Sequence, residues 1–250
     1  MENALYVALS QQMALRRMLD VTANNVANMN TAAFRAERPV FDDFVSRTGR
    51  GADPTAFVID RATYTDTREG ALSTTGNPLD IAIRGDGWLQ IETPDGPRYS
   101  RDGRLGRSLE GDLITVDGRP VLDADGNRIT VPEDVGPLTI AADGTLSYTV
   151  EGGGQEIQSV ELGRLGLYTL PGAQGLARGG DGLVTATGTP EPATNVTIVQ
   201  GALEGSNVQP IVEMVRLIDL TRAYGQANKL TEAENDRQRN AINKIGGPAT

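Results

Sequence analysis

Neither cysteine nor histidine occurs anywhere in the 250 residues. Disulfides, thiolate nucleophiles and the commonest zinc ligands are thereby excluded, and a serine-type triad has no imidazole to draw on. Aromatic residues are scarce at 4%, with Trp88 the one tryptophan, while glycine reaches 30. That mixture favours thin, turn-rich β-structure over a large aromatic core. Basic charge is also in deficit: 23 Lys and Arg stand against 33 Asp and Glu, a net charge of −10. Phosphate backbones are bound by the opposite balance, so nucleic acid is not an expected partner. No stretch reaches the ~18 apolar residues of a helical membrane span, so no direct insertion is expected. The opening MENALYVALSQQMALRRMLD lacks a basic n-region, a long apolar run and a small-residue cleavage site, so no cleaved secretory signal is expected either.

What is present falls into three zones. From Asn3 to Asn28 there is no Pro or Gly, and Leu5, Ala8, Gln12, Leu15, Leu19, Thr22 and Val26 step by three and four. That is a heptad seam with two polar members on one long helix. A second helix is expected from about Gln209 to Lys244, with Ser206 and Asn207 as candidate caps and Pro210 in the first turn. Its stripe (Met214, Leu217, Thr221, Tyr224, Asn228, Thr231, Asn235, Gln238, Ile242, Ile245) is largely polar, so this helix needs partners. Between the helices, Asp-Gly pairs beginning at Asp86, Asp95, Asp102, Asp117, Asp125, Asp143 and Asp181 punctuate short Val-, Ile-, Leu- and Thr-rich runs. Asp-Gly supplies the positive φ of tight hairpins, so strands are expected at Leu113–Val116, Arg128–Val131 and Leu138–Ala141 within an antiparallel body. Residues 35 to 76 are less regular and read as an extended connector with strand pieces, one of them around Ala62–Thr65.

Charge follows the same partition. Residues 1–48 hold five groups of each sign and residues 204–250 hold six of each, which leaves 12 basic and 22 acidic groups in residues 49–203. The ends are neutral and mixed, as helices packed among like helices should be, and the β body carries the acidity. Two long, half-polar helices make a poor core by themselves. They are therefore expected to be largely disordered in a lone monomer and to fold when several copies pack.

Features that suggest chemistry have plainer readings. Gly85-Asp86-Gly87 and Arg178-Gly179-Gly180-Asp181-Gly182 lack a GxGxxG or Walker pattern and sit among strands, so they read as hairpin turns. Asp123, Asp125 and Asn127 around Gly126 fail the EF-hand spacing and read as a turn. Asp42 and Asp43, between Phe41 and Phe44, read as a solvated face rather than an acid–base pair. No catalytic, cofactor or metal-binding residue is assigned. Asn24, Asn25 and Asn28 have two balanced readings: fraying and capping at a helix end, or amides bonded across subunits to fix register.

Several motifs then occur in a telling order. Asp20-Val21-Thr22-Ala23-Asn24-Asn25-Val26-Ala27-Asn28 leads to Asn30-Thr31 and Ala33-Phe34-Arg35. Mid-chain come Gly76-Asn77-Pro78-Leu79-Asp80-Ile81-Ala82-Ile83, Gly85-Asp86-Gly87-Trp88, Tyr99-Ser100-Arg101-Asp102-Gly103 and Val116-Asp117-Gly118-Arg119-Pro120-Val121-Leu122. Near the end stand Leu203-Glu204-Gly205-Ser206-Asn207-Val208 and Arg222-Ala223-Tyr224. Together these resemble the rod and hook proteins of the bacterial flagellum over nearly the whole chain. That family commonly has Gly just before the Phe; here it is Ala33, which is strained if the backbone takes positive φ. The opening residues and the short stretch between Phe34 and Asn77 resemble a proximal rod member more than the distal rod or hook subunits.

The expected fold is α+β and multi-domain, with antiparallel, coiled-coil-like N- and C-terminal helices flanking an all-β central body. The expected division is 1–34 and 204–250 for the helical part, 35–76 for the connector and 77–203 for the β domain. The resemblance implies a non-enzymatic subunit without cofactors, polymerising helically with copies of itself and other rod proteins to transmit torque. It also implies export by the flagellar type III apparatus and a place in the periplasmic basal body. Leu5, Leu15, Leu19, Asn24, Asn25, Val26, Asn28, Phe34, Val208, Ile211, Met214, Leu217 and Tyr224 are the expected subunit-interface residues. A sister axial subunit is the alternative within the family. A secreted β-rich adhesin or glycan-binding module is the alternative of another class, for which one Trp and scattered tyrosines offer a poor groove.

Overall fold

The computed structural model of the chain describes residues 2–46, 55–132, 135–136, 138–151, 157–170, 176–186 and 188–246. Helix α1 (Glu2–Ala27) opens it, followed by β1 (Glu37–Ser46) and β2 (Thr55–Thr65), which pair with each other. Then come β3 (Leu72–Thr74), β4 (Ile81–Arg84), β5 (Trp88–Ile91), β6 (Arg98–Ser100), β7 (Leu105–Arg107) and β8 (Leu113–Thr115). They are followed by β9 (Leu138–Ile140), β10 (Thr145–Glu151), β11 (Ile157–Arg164), β12 (Leu167–Thr169) and β13 (Leu176–Arg178). The last strands are β14 (Val184–Ala186), β15 (Glu191–Pro192), β16 (Thr197–Gln200) and β17 (Ala202–Glu204), and α2 (Pro210–Gly246) closes the chain.

Both helices follow from local chemistry. α1 has no Pro or Gly to interrupt it. α2 starts on Pro210, whose fixed φ suits a first turn, with Glu213 near the positive end of its dipole and Lys244 near the negative end. No helix among the described residues is long and apolar enough to cross a membrane.

Two compact units emerge. One comprises Met1–Ala27, Glu37–Tyr64 and Gln209–Thr250; the other comprises Asn28–Ala36 and Thr65–Val208. The expected connector is thus divided, its β1–β2 part grouping with the helices. In the helical unit α1 and α2 run antiparallel: Gln12 meets Asn228, while Met18 and Thr22 share a cavity with Arg216 and Leu220.

The β unit is built from short antiparallel pairings, chief among them a six-stranded sheet ordered β13-β14-β6-β5-β12-β15. Strands first and last in sequence close it: β17 pairs with β3 and β16 with β4. Its core joins Ile81, Ile83, Leu89, Ile91, Leu113, Val121, Leu146, Leu165 and Ile198 among others, nearly all without solvent exposure. A side cluster packs Trp88, Tyr99, Leu170 and Val184, with Tyr168 edge-on to Tyr99 at 5.9 Å. The expected strands at 113–116 and 138–141 are present, one residue shorter each. The run at 128–131 makes isolated bridges only, Arg128 to Leu122 and Thr130 to Asp112.

Five of the seven Asp-Gly glycines take positive φ: Gly96, Gly118, Gly126, Gly144 and Gly182. The other two serve close approach. A Cβ on Gly103 would stand 1.8 Å from the Ile81 carbonyl oxygen, and one on Gly87 would stand 2.7 Å from the Val196 side chain. The Arg178–Gly182 stretch is a hairpin turn, as expected, closed by the Gly182 amide on the Gly179 carbonyl. Asp123 closes its loop by accepting the Asp125 and Asn127 amides.

Candidate assembly interface

In the helical unit, α1 buries Ala14, Val21, Thr22 and Asn25, with Met18 half-buried between them. α2 turns inward Glu213, Leu217, Leu220, Tyr224, Ala227 and Thr231, again in steps of four and three. The expected seams lie next to these rows. Leu15, Leu19 and Val26 are half-buried, one residue past the row on α1; on α2, Leu217 and Tyr224 are shared with the inward row, but Met214 is replaced by Glu213. Leu5 lies in α1, and its side chain is outside the described residues.

The rotation has a cause in the β1–β2 pair, which takes a share of each helix. Asn25 Nδ2 donates to the Glu37 carbonyl and its Oδ1 accepts the Glu37 amide, both at 2.9 Å. Arg17 reaches Asp60 at 3.2 Å and Thr63 at 2.8 Å on β2. Arg38 on β1 sits 3.1 Å from Glu213, whose side chain is 2% exposed. Each helix therefore serves two neighbours, and its most buried row lies between the two directions.

The asparagines separate accordingly. Asn25 is 1% exposed, and its amide is turned onto Glu37 rather than outward. Asn28 is half-buried and ends the helix, with its carbonyl accepting the Thr31 amide and its Oδ1 the Thr31 hydroxyl. Asn24 is exposed.

Several large apolar side chains of the helical unit are left uncovered. Ile211 (79% exposed), Val212, Met214, Val215 and Ile218 line the first turns of α2, and Leu9 and Met13 lie exposed on α1. Fully burying one such side chain is worth about 1.5–3 kcal/mol. This surface is the candidate interface, and Ile211 and Met214 belong to it.

Phe34 and Val208 do not. They pack on each other with Ala36 and Met29 inside the β unit, under the Arg178 guanidinium at 4.6 Å from the Phe34 ring. Just before Phe34, Ala33 takes φ +55°, the one positive φ outside glycine among the described residues, and donates its amide to the Glu204 carbonyl at 2.8 Å. Asn207 does not cap α2: its Oδ1 accepts the Ala36 amide while its Nδ2 donates to the Asp66 and Arg68 carbonyls.

Beside this cluster lies a buried charge clamp that the sequence reading missed. Glu204 Oε1 meets Arg35 Nη2 at 2.8 Å and Oε2 meets Arg101 Nε at 2.9 Å, all three side chains being 2% exposed or less. Arg101 also donates to the carbonyls of Ile83, Gly85 and Gly87, and Arg35 to those of Thr67 and Arg68. Five stretches of chain are thus tied at one carboxylate, including both ends of the β unit. Burial, aided by the charge of Arg101, pulls the Arg35 guanidinium down to about 10, and Glu204 opposes that shift. All three residues stand inside the quoted motifs, so the signal was visible as letters. Only burial shows that they are partners.

Residues 5–35 match the family described as Flagella basal body rod protein. Residues 82–148 match the Flagellar hook protein FlgE/F/G D1 domain, and residues 199–244 the Flagellar basal body rod FlgEFG protein C-terminal family. The chain is 43% identical to the flagellar basal-body rod protein FlgF of Mesorhizobium japonicum, covering 98% of this chain and 99% of that protein. It is 38% identical to FlgF of Caulobacter vibrioides over the same shares of each. Against the flagellar basal-body rod protein FlgG of Agrobacterium fabrum it is 33% identical, covering 91% of this chain and 94% of that protein.

Proposed function

Because this chain belongs to the flagellar basal-body rod protein family, we propose that its two terminal helices polymerise it, copy on copy, in the proximal part of the rod. It is a structural subunit of the flagellar basal body, and its family is one of structural proteins rather than enzymes. The observation that carries the polymerisation is the uncovered apolar row Ile211, Val212, Met214, Val215 and Ile218 on α2, with Leu9 and Met13 also uncovered on α1. Water is displaced from it only by another chain. Head-to-tail contacts that do not close on themselves generate a helix, and many seams buried together give a stiff shaft that transmits torque without chemistry.

In this reading residues 1–27 and 209–250 are the polymerising part, with coiled-coil-like packing, joined by the β1–β2 part of the expected connector, while residues 28–36 and 65–208 are the β body. Leu15, Leu19, Val26, Leu217 and Tyr224, only half-buried within the chain, complete the seams between copies. The chain acts without cofactor or catalysis, which its lack of Cys and His supports. It passes through the flagellar type III export apparatus and is assembled in the periplasm with other rod proteins. The higher identity and fuller coverage of the two FlgF relatives than of the FlgG protein favour the proximal over the distal rod.

The test is Ile218→Glu. Ile218 is 52% exposed, so the monomer folds as before; the variant should be absent from purified basal bodies and its cells non-motile. Normal motility with the variant in place would overturn the reading.

A further inference from the structure

One cavity of the helical unit has a composition that the apolar rows do not explain. It measures about 200 Å³ and is walled by Met18 of α1, Phe41 of β1, Tyr64 of β2 and Leu220 of α2, with Arg38 and Arg216 among its lining residues. Both guanidiniums address the same carboxylate oxygen, Glu213 Oε1, at 3.1 and 3.6 Å. Two positive charges therefore share one negative charge beside an apolar cavity. Glu213 is 1% exposed, and its Oε2 has no hydrogen-bond partner among the described residues. The site is positive by one charge, so its occupant is expected to bring an apolar side chain with a carboxylate next to it.

The chain itself displays such a pair. Leu109 is 95% exposed on the turn between β7 and β8, followed directly by exposed Glu110. The turn is fastened: Ser108 Oγ accepts the amides of Glu110 and Asp112, and its carbonyl accepts the amide of Gly111. Gly111 holds φ +91°, and a Cβ there would lie 2.8 Å from the Val131 carbonyl oxygen. A rigid turn loses little conformational entropy on docking. The acidity of residues 49–203, with 22 acidic against 12 basic groups, gives the same sign to the approach.

We infer that the cavity walled by Met18, Phe41, Tyr64 and Leu220 receives the Leu109–Glu110 turn of a second copy, with Leu109 inside and Glu110 against Arg216 and Arg38. Knob and socket are different patches, so the contact is head-to-tail and repeats from copy to copy. It rests on the polymer reading and adds to it a junction between the helical unit of one subunit and the β unit of another.

The chain has no cysteine, so cross-linking is clean. Glu110→Cys with Arg216→Cys places thiols on two exposed side chains. Basal bodies purified from oxidised cells should then yield a ladder of dimers and higher multiples, collapsed by reductant. Val116→Cys with Arg216→Cys should yield none. A doubly substituted protein that is present in basal bodies but gives no ladder overturns the contact and leaves the polymer reading standing. Wild-type chain absent from basal bodies overturns the polymer reading beneath it. As a second measure, Leu109→Glu should lower incorporation at least tenfold while the purified monomer melts as wild type; undiminished incorporation overturns the contact.

Discussion

The guanidinium of Arg35 and the carboxylate of Glu204 meet 2.8 Å apart with 2% and 1% of their side chains exposed. They come from opposite ends of the β unit, one just after α1 and the other just before α2. Arg101, on the far side of the same carboxylate, completes the join. Removing one member of a buried ion pair strands the other's charge, at about 3–5 kcal/mol.

Glu204→Gln keeps the shape and removes the charge, leaving two buried guanidiniums without a counter-ion. Urea unfolding of the purified chain should lose about 3–5 kcal/mol. Glu92→Gln, whose carboxylate pairs with exposed Arg128 in solvent, should change it far less.

Ala33 sits at φ +55°, the left-handed region that favours glycine. The left-handed region costs an L-residue about 1–2 kcal/mol, and glycine's extra freedom in the unfolded chain returns about 0.5–1 of that. Ala33→Gly should therefore stabilise the chain by up to about 1 kcal/mol. A lower melting temperature would count against the strain.

Asn25 exchanges two hydrogen bonds with the backbone of Glu37. Asn25→Leu leaves that amide and carbonyl unpaired and should destabilise the monomer by roughly 2 kcal/mol. If the monomer is untouched by Asn25→Leu while polymer register disperses, the residue acts between copies instead.

Burial by itself would raise the Asp181 carboxyl, but the Arg119 and Leu183 hydrogen bonds and the charge of Arg98 outweigh it and hold the group below the usual carboxylate range. A carboxyl depressed on folding contributes stability that is present above its unfolded pKa of about 4 and lost as pH falls through the lower folded value. Asp181→Asn should lower stability at pH 7 and flatten its fall below about pH 4, as read from thermal melts across pH.

Gly103 ends the Tyr99–Gly103 motif, and a Cβ there would stand 1.8 Å from the Ile81 carbonyl oxygen. Its own carbonyl accepts the Ile81 amide at 3.0 Å. Gly103→Ala should cost on the order of 1–3 kcal/mol or more, since backbone cannot give way as a side chain does. Gly118→Ala pays for its positive φ alone, with no atom within 4 Å, and should cost less.

The sequence by itself determined the order helix, β body, helix. That order is written in local terms: a Gly- and Pro-free run, a proline at a helix start, and Asp-Gly pairs at hairpins. It also determined the kind of chain, through the absence of Cys and His and the ordered motifs of a rod protein. Tertiary structure decided which faces of the helices turn inward. Periodicity fixes the spacing of a buried row but not its rotation, and here Glu37, Arg38 and Asp60 draw each helix toward the β1–β2 pair. It likewise decided that Phe34 and Val208 lie inside the β unit, that Asn207 ties three loops rather than capping a helix, and that Arg35, Arg101 and Glu204 form one charged group. Those three charged residues are between 66 and 169 positions apart, and nothing local in a sequence records which distant charges share a cavity. Burial forces them together, because an unpaired charge away from water costs a large share of the chain's margin of stability.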